Sequence, residues 1–250
     1  MKNNRNLITG LHPVIEGIKS GKQIDTIFIQ ENLKGELVFE LKKLAREGRI
    51  PFKLVPTEKL DRMAPGKHQG VAAYLSGIEY FDIADILPTI YEKGEVPFLV
   101  LLDRITDVRN FGAIARTAYA AGVHAMIIPA QGSAQINEDT FRSSAGALHH
   151  MTLCRDHNLK EVLDYLHGSG VKIVACTEDA EKNYFEVDFS VPTVLLLGSE
   201  ENGISNEYLK YAQEWAKISM PGNIGSLNVS VAAGIIMFEA VKQKTAMSKV

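Results

Sequence analysis

The chain is poor in the residues and runs that mark several protein classes. It has two cysteines in 250 residues, Cys154 and Cys176, and their spacing matches no zinc or redox motif. That excludes a disulfide framework and fits a reducing compartment. No Walker-type glycine loop occurs, no GxGxxG follows an apolar strand, and no GxSxG elbow is present. Nucleotide hydrolysis, nicotinamide hydride transfer and serine acyl transfer therefore lack their usual parts. No Cys/His set has zinc spacing, and the adjacent His149 and His150 are poorly spaced to share one ion, so no metal is expected. No run approaches the roughly 18 apolar residues of a membrane span, and the start MKNNRNLITG has no apolar signal region. These absences predict a cytoplasmic protein with no membrane partner.

What is present is ordinary in bulk and uneven in detail. At 46% hydrophobic and 23% charged residues, the chain has the composition of a globular protein. Its length suits one large domain or a large one plus a small one. Residues 1–80 hold thirteen Lys and Arg against nine Asp and Glu, whereas the rest holds fourteen against twenty-one. A basic N-terminal part on an acidic whole is compatible with an anionic partner held locally, and equally with an ordinary solvated surface.

The hydrophobic periodicity predicts a small α/β domain over 1–80, a connecting helix and linker over 81–96, and a larger domain over 97–250. In the first, IDTIFIQ, PFKLVP and VAAYLS read as strands. HPVIEGIKSG, ELVFELKKLAREG and EKLDRMA read as helices. The turn-rich APGKHQG carries Lys67, His68 and Gln69. In the larger domain the apolar strands FLVLLD, HAMIIPA, KIVACT, VPTVLLLG and KISMP alternate with helices. Those helices are expected at NFGAIARTAYAAG, EDTFRSSAGALHH, LKEVLDYLHGSG, SNEYLKYAQEW and from about Leu227. Continuous apolar strands between helices predict a mostly parallel sheet covered on both faces. Ligands gather at the carboxyl ends of such strands, and three polar loops fall there, after Asp103, after Gly198 and after Pro221.

The first loop, DRITDVRNFGAIAR, places Asn110 where it could cap the next helix. Arg116 falls about 140° around that helix from Phe111, beside Gly112, Ala113 and Ala120. Arg104 and Arg109 precede it, and three guanidiniums suit phosphate, although a surface salt bridge would explain each alone. The second loop, SEENGIS, follows a strand ending in Gly198, a residue that permits close backbone approach; Glu200 and Glu201 come next, and a charged helix-capping turn is the plainer reading. The third, MPGNIGSLN, carries Pro221, Gly222, Asn223 and Gly225, and then Ser226 and Asn228, which could simply cap the final helix.

Together the loops are far more specific. NFGAIAR, LLLGSEENGIS and ISMPGNIGSLNVSVAAGIIMFEA, in this order, resemble the three motifs of the SpoU, or TrmH-like, class of RNA 2′-O-methyltransferases of the SPOUT superfamily. The resemblance covers residues 97 to about 245. HPVIEGI and HQGVAAY resemble the small substrate-binding domain of the group that includes RlmB, a domain similar to the L30e and L7Ae RNA-binding fold. One departure is LHHMTLC after SSAGA, where relatives often have a proline.

The resemblance implies a small N-terminal L30e-like α/β domain and a SPOUT-type parallel-sheet domain with a C-terminal trefoil knot. It implies S-adenosylmethionine, held around Thr177, Leu197, Gly198, Ile218, Met220 and Leu227. It places Asn110, Arg116, Glu200, Ser226 and Asn228 in the catalytic constellation; the basic loop of Lys67, His68 and Gln69, with Arg104 and Arg109, is then expected to contact RNA. It implies a ribosomal RNA substrate, a guanosine of 23S RNA, and a homodimer through the final helix. Within the class, a transfer-RNA or antibiotic-resistance rRNA methylase is the rival. Outside it, the alternative is a non-catalytic RNA-binding assembly factor.

Overall fold

The apolar runs become the strands of two separate sheets in the computed structural model, which describes residues 7–222 and 225–247. The chain divides into two compact units, residues 1–79 and 80–250. The first comprises β1 (Leu7–Thr9), α1 (Leu11–Lys19), β2 (Ile24–Gln30), α2 (Glu36–Glu47), β3 (Phe52–Val55), α3 (Thr57–Met63) and β4 (Val71–Leu75). Its sheet runs β1-β4-β2-β3. The β4 strand is antiparallel to both neighbours, and β2 and β3 are parallel. A core of Val14, Ile15, Ile27, Ile29, Leu41 and Val71 lies under α1 and α2. Phe28, Leu60 and Ala72 form a second cluster on the α3 side.

The second unit begins earlier than the sequence suggests. The expected connecting helix is α4 (Ile83–Glu92), and its Ile83, Leu87 and Ile90 sit in the same core as Leu99, Leu101 and Leu196. Three apolar residues at spacings of four and three make one buried helix face, which a linker would leave exposed. Phe81 pairs in parallel with Cys154.

There follow β5 (Phe98–Leu102), α5 (Val108–Ala120), β6 (Ala125–Pro129), α6 (Glu138–Ser143), β7 (Leu153–Asp156) and α7 (Leu159–Gly168). Then come β8 (Lys172–Cys176), β9 (Thr193–Leu197), α8 (Asn206–Leu209), β10 (Glu214–Ala216) and α9 (Val229–Met247). The sheet order is β10-β8-β9-β5-β6-β7, and every pair is parallel. All five residues of β5 and of β9 are buried, as expected for strands covered on both faces.

Some elements differ from the sequence reading. The helix expected over EDTFRSSAGALHH breaks at Ala145 and Gly146, whose φ angles of 50° and 83° end α6; a 3₁₀ turn at Ala147–His149 follows. SNEYLKYAQEW yields only the one turn of α8. The last strand is Glu214–Ala216 rather than KISMP, of which only Lys217 makes a bridge, to Asn183. Asn223 lies outside the described residues.

Candidate active site

The three polar loops do meet, and hydrogen bonds show how. Asp107, not Asn110, caps α5: its Oδ1 accepts from the amides of Arg109 and Asn110 at 2.9 and 2.8 Å. With the cap one turn earlier, Asn110 lies inside the helix and its side chain is free to reach outward. Its Oδ1 accepts from Asn228 Nδ2 at 2.9 Å, and the same amide group donates to Glu200 Oε1 at 2.6 Å. Glu200 also accepts from the amide of Val229 at 3.2 Å. A carboxylate at the start of α9 is favoured by the helix dipole and takes up an amide that has no intrahelical partner. Asn228 itself caps α9, with Oδ1 accepting from Ser230 N at 3.0 Å and Ser230 Oγ at 2.5 Å. Asn110, Glu200 and Asn228, from three distant stretches of the chain, thus form one network.

The loop carrying Glu200 is held in place from two sides. Ser199 and Gly203 exchange backbone hydrogen bonds at 3.1 and 2.8 Å. Gly198 allows that fold-back, because a Cβ there would stand 2.1 Å from the Gly203 carbonyl carbon. The close approach that the glycine was expected to offer a ligand is thus taken by the chain itself. On the other side, the buried Asp103 accepts from Ser205 N and Oγ, both at 2.7 Å. Arg104 Nε donates to Asp103 at 3.2 Å and its Nη2 to the Gly203 carbonyl at 3.2 Å. Arg104, expected to face phosphate, therefore braces the loop. Asp103 and Ser205 escaped the sequence reading, although an Asp ending an all-apolar strand is a recognisable signal.

A cleft of about 420 Å³ opens at the carboxyl ends of β8, β9 and β10. All six residues expected around the cofactor (Thr177, Leu197, Gly198, Ile218, Met220, Leu227) line it, and so do Glu200 and Ser226. Glu201 of the second loop and the unforeseen Glu178 and Asp179 add three carboxylates, against one lysine, Lys217. Cys176 lines the cleft too, and burial pushes its thiol up to about 12, so it is an inert wall rather than a nucleophile.

The remaining expectations divide. Arg116 and Arg109 stand exposed on α5, and Arg116 does not line the cleft of its own chain. In the first unit Lys67 and Gln69 are exposed, but His68 is buried. Its Nδ1 accepts from the amide of Gly70 at 3.0 Å and its Nε2 pairs with Asp61 at 2.9 Å. Both ring nitrogens are used inside the fold, so His68 shapes the loop and is no surface contact. Among the described residues no group of His, Cys, Asp or Glu stands in metal-holding geometry. None of the described helices is long and apolar enough to cross a membrane.

Known proteins resemble the chain in sequence and in fold. Residues 97–238 match the SpoU rRNA Methylase family, and residues 7–81 match the RNA 2′-O ribose methyltransferase substrate binding family. YacO of Bacillus subtilis (strain 168), named for the TrmH family of tRNA/rRNA methyltransferases, is 32% identical over 98% of this chain and 98% of its own. Among solved structures, the SpoU methyltransferase AviRb from Streptomyces viridochromogenes in complex with AdoMet is 27% identical. It has a TM-score of 0.61 over 96% of this chain and 90% of that one. The A. aeolicus TrmH/SpoU tRNA modifying enzyme is 35% identical, with a TM-score of 0.56 over 62% of this chain and 78% of that one. Fold and site define an RNA methyltransferase of the SPOUT type. The chain belongs to the SpoU rRNA Methylase family.

Proposed function

We propose that the protein methylates the ribose 2′-hydroxyl of a guanosine in 23S ribosomal RNA, using S-adenosylmethionine. The observation that carries this reading is the Asn110–Asn228–Glu200 network at the edge of an acidic cleft. The cleft fits the cofactor chemically: Leu197, Ile218, Leu227 and Ile236 offer apolar surface to an adenosyl group. Glu178, Asp179, Glu200 and Glu201 complement a cationic sulfonium and ammonium. Its volume lies within the roughly 300–1,000 Å³ of small-molecule sites.

When bound, the cofactor supplies an electrophilic methyl on a cationic sulfur. What the chain must do is orient the 2′-hydroxyl and manage its proton. The amide and carboxylate network fixes the ends of α5 and α9, and Ser226 adds a polar group at the cleft wall. Arg116 could take the proton or, in its ordinary charged form, stabilise the developing alkoxide. The second role needs no deprotonated guanidinium, and it is the one we assign; the hydroxyl proton then passes to solvent water.

Three finer points belong to this reading. The first is the RNA: the S. meliloti rRNA methyltransferase structure covers 95% of this chain, whereas two structures described by tRNA cover 62% and 60%. The second is the knot. After β10, at one edge of the sheet, the chain returns past the 198–205 loop, bonds to Glu200, and packs α9 on α5. That path supports a trefoil crossing.

The third is a homodimer. Helix α9 buries Val229, Ala233, Ile236, Met237 and Ala240 in its own unit, yet Val231 and Phe238 on its other side are 51% and 50% exposed. Two apolar stripes on one helix call for two partners. Because Ala233 faces inward, an Arg there would damage the fold; Phe238→Asp tests the outer stripe. We expect a dimer mass for the wild type by sedimentation and a monomer for Phe238→Asp; a wild-type monomer contradicts the pairing.

The L30e-like unit, with Lys67 and Gln69 exposed, is assigned to holding RNA. Calorimetric titration with S-adenosylmethionine, with mapping of 2′-O-methyl sites in RNA from cells lacking the gene, tests the whole reading. One lost ribose methylation in 23S RNA is the expected result. A lost site in a transfer RNA instead would favour the rival substrate.

A further inference from the structure

Helix α5 keeps one side clear of the fold. Arg109 and Arg116 stand seven residues apart on it, nearly in line along the axis, and both are exposed. One turn beyond Arg116, Tyr119 is 50% exposed. Its ring stacks on that of His150, with centroids 5.6 Å apart and planes 27° from parallel. The neighbouring His149 is exposed and stacks on Phe141 of α6 at 4.5 Å and 18°.

This surface is built by sequence features that the catalytic reading leaves unused. The positive φ angles at Ala145 and Gly146 turn the chain so that His149 and His150 return over α5 and α6. Gly112 brings α6 close, because a Cβ there would lie 2.0 Å from Ser143 Oγ. Two of its carboxylates are already engaged, and Glu138 on α6 stays exposed: Asp107 caps α5, and Asp139 pairs with Arg142 at 3.1 Å. Pointing outward are the Arg109 and Arg116 guanidinium heads, which have no partner among the described residues, and two near-parallel ring pairs.

We propose that this ledge stacks unpaired bases flanking the methylated nucleotide, with Arg109 and Arg116 on the phosphates between them. The inference rests on the ribose-methylation reading above. Single-stranded RNA displays bases that aromatic and imidazole rings can stack without reading their identity, and cationic side chains suit its backbone. The ledge also accounts for an arginine assigned to chemistry standing on an open helix face: the RNA must come to α5.

The experiment compares wild type, Tyr119→Ala, His150→Ala and the double variant on one RNA that the wild type methylates. We expect each single change to raise the KM for RNA roughly fivefold to tenfold. Turnover should stay within about twofold, and the S-adenosylmethionine Kd should not move, because these side chains lie outside the cleft. Tyr119→Phe keeps the ring and should keep the wild-type KM. A double variant with unchanged KM overturns the ledge. So does a double variant that sediments as a monomer where the wild type is a dimer, which would assign the face to a second copy of the chain. A wild type that binds S-adenosylmethionine but methylates no RNA overturns the ribose-methylation reading itself, and the ledge with it.

Discussion

The turn at 65–70 of the small unit and helix α5 of the large one both put basic residues next to glycine, and both look like RNA contacts in sequence. Their fates differ. His68 is buried with both ring nitrogens bonded inside its unit, whereas Arg109 and Arg116 stand in solvent. The difference lies in side-chain chemistry. A neutral imidazole can be buried once its two nitrogens are satisfied, but a guanidinium stays charged and has five donors to place. A charged group left exposed on a helix beside a cleft is available to a substrate; a satisfied buried one is spent on structure.

The largest effect should come from the loop that both views of the site depend on. Gly198→Ala would drive a methyl into the Gly203 carbonyl, dismantling the loop that carries Glu200. We expect a loss of about 3 kcal/mol of stability and no measurable activity, checked by denaturant melts and methyl transfer. Wild-type activity in that variant would mean the loop can refold without its bridge.

Next, the contrast between the two basic regions can be broken directly. Arg116→Ala should lower kcat by about 100-fold while leaving the melting temperature unchanged and the S-adenosylmethionine affinity within about tenfold. His68→Ala should do the reverse. It leaves the Asp61 carboxylate and the Gly70 amide without their partner, costing about 1–3 kcal/mol, with kcat unchanged. If His68→Ala lost RNA affinity at full stability, the loop would be a contact after all.

A third cation gives the smallest effect and sharpens the rule. Lys244, near the end of α9, donates to the Val191 carbonyl at 3.3 Å and lies 5.5 Å from the centre of the Phe98 ring. Burial lowers its pKa to about 8, with nearby Asp188 opposing the shift. A folded pKa below the ordinary 10.5 means the unfolded chain holds the proton more tightly between those values. Stability should therefore rise as pH goes from about 8 to 10.5. Lys244→Met should flatten that rise and leave activity intact, as pH-dependent melts would show.

The site proved more legible in the sequence than the paths of the chain around it. The six residues that the family resemblance implied for the cofactor, Thr177, Leu197, Gly198, Ile218, Met220 and Leu227, all line one cleft. Composition could not show that Asp103 and Arg104 brace the second loop, because Asp103 and Ser205 are 102 residues apart in the chain. Nor could periodicity separate the two apolar stripes of α9, since a helix apolar all round has no preferred face to read. Asn110 was misplaced as a cap because Asp107, three residues earlier, is an equally good one. The connecting helix expected within 81–96 is present as α4, but its Ile83, Leu87 and Ile90 spacing, that of a buried face, makes it part of the second core rather than a linker.

The central claim is that the enzyme acts on the 2′-oxygen of ribose and not on a base. The direct measurement is nucleoside analysis of unmodified 23S RNA incubated with the purified protein and methyl-labelled S-adenosylmethionine. The account predicts label in a single 2′-O-methylguanosine, formed about 100-fold more slowly by Arg116→Ala. Label in a base-methylated nucleoside, or an equal yield from Arg116→Ala, would contradict it.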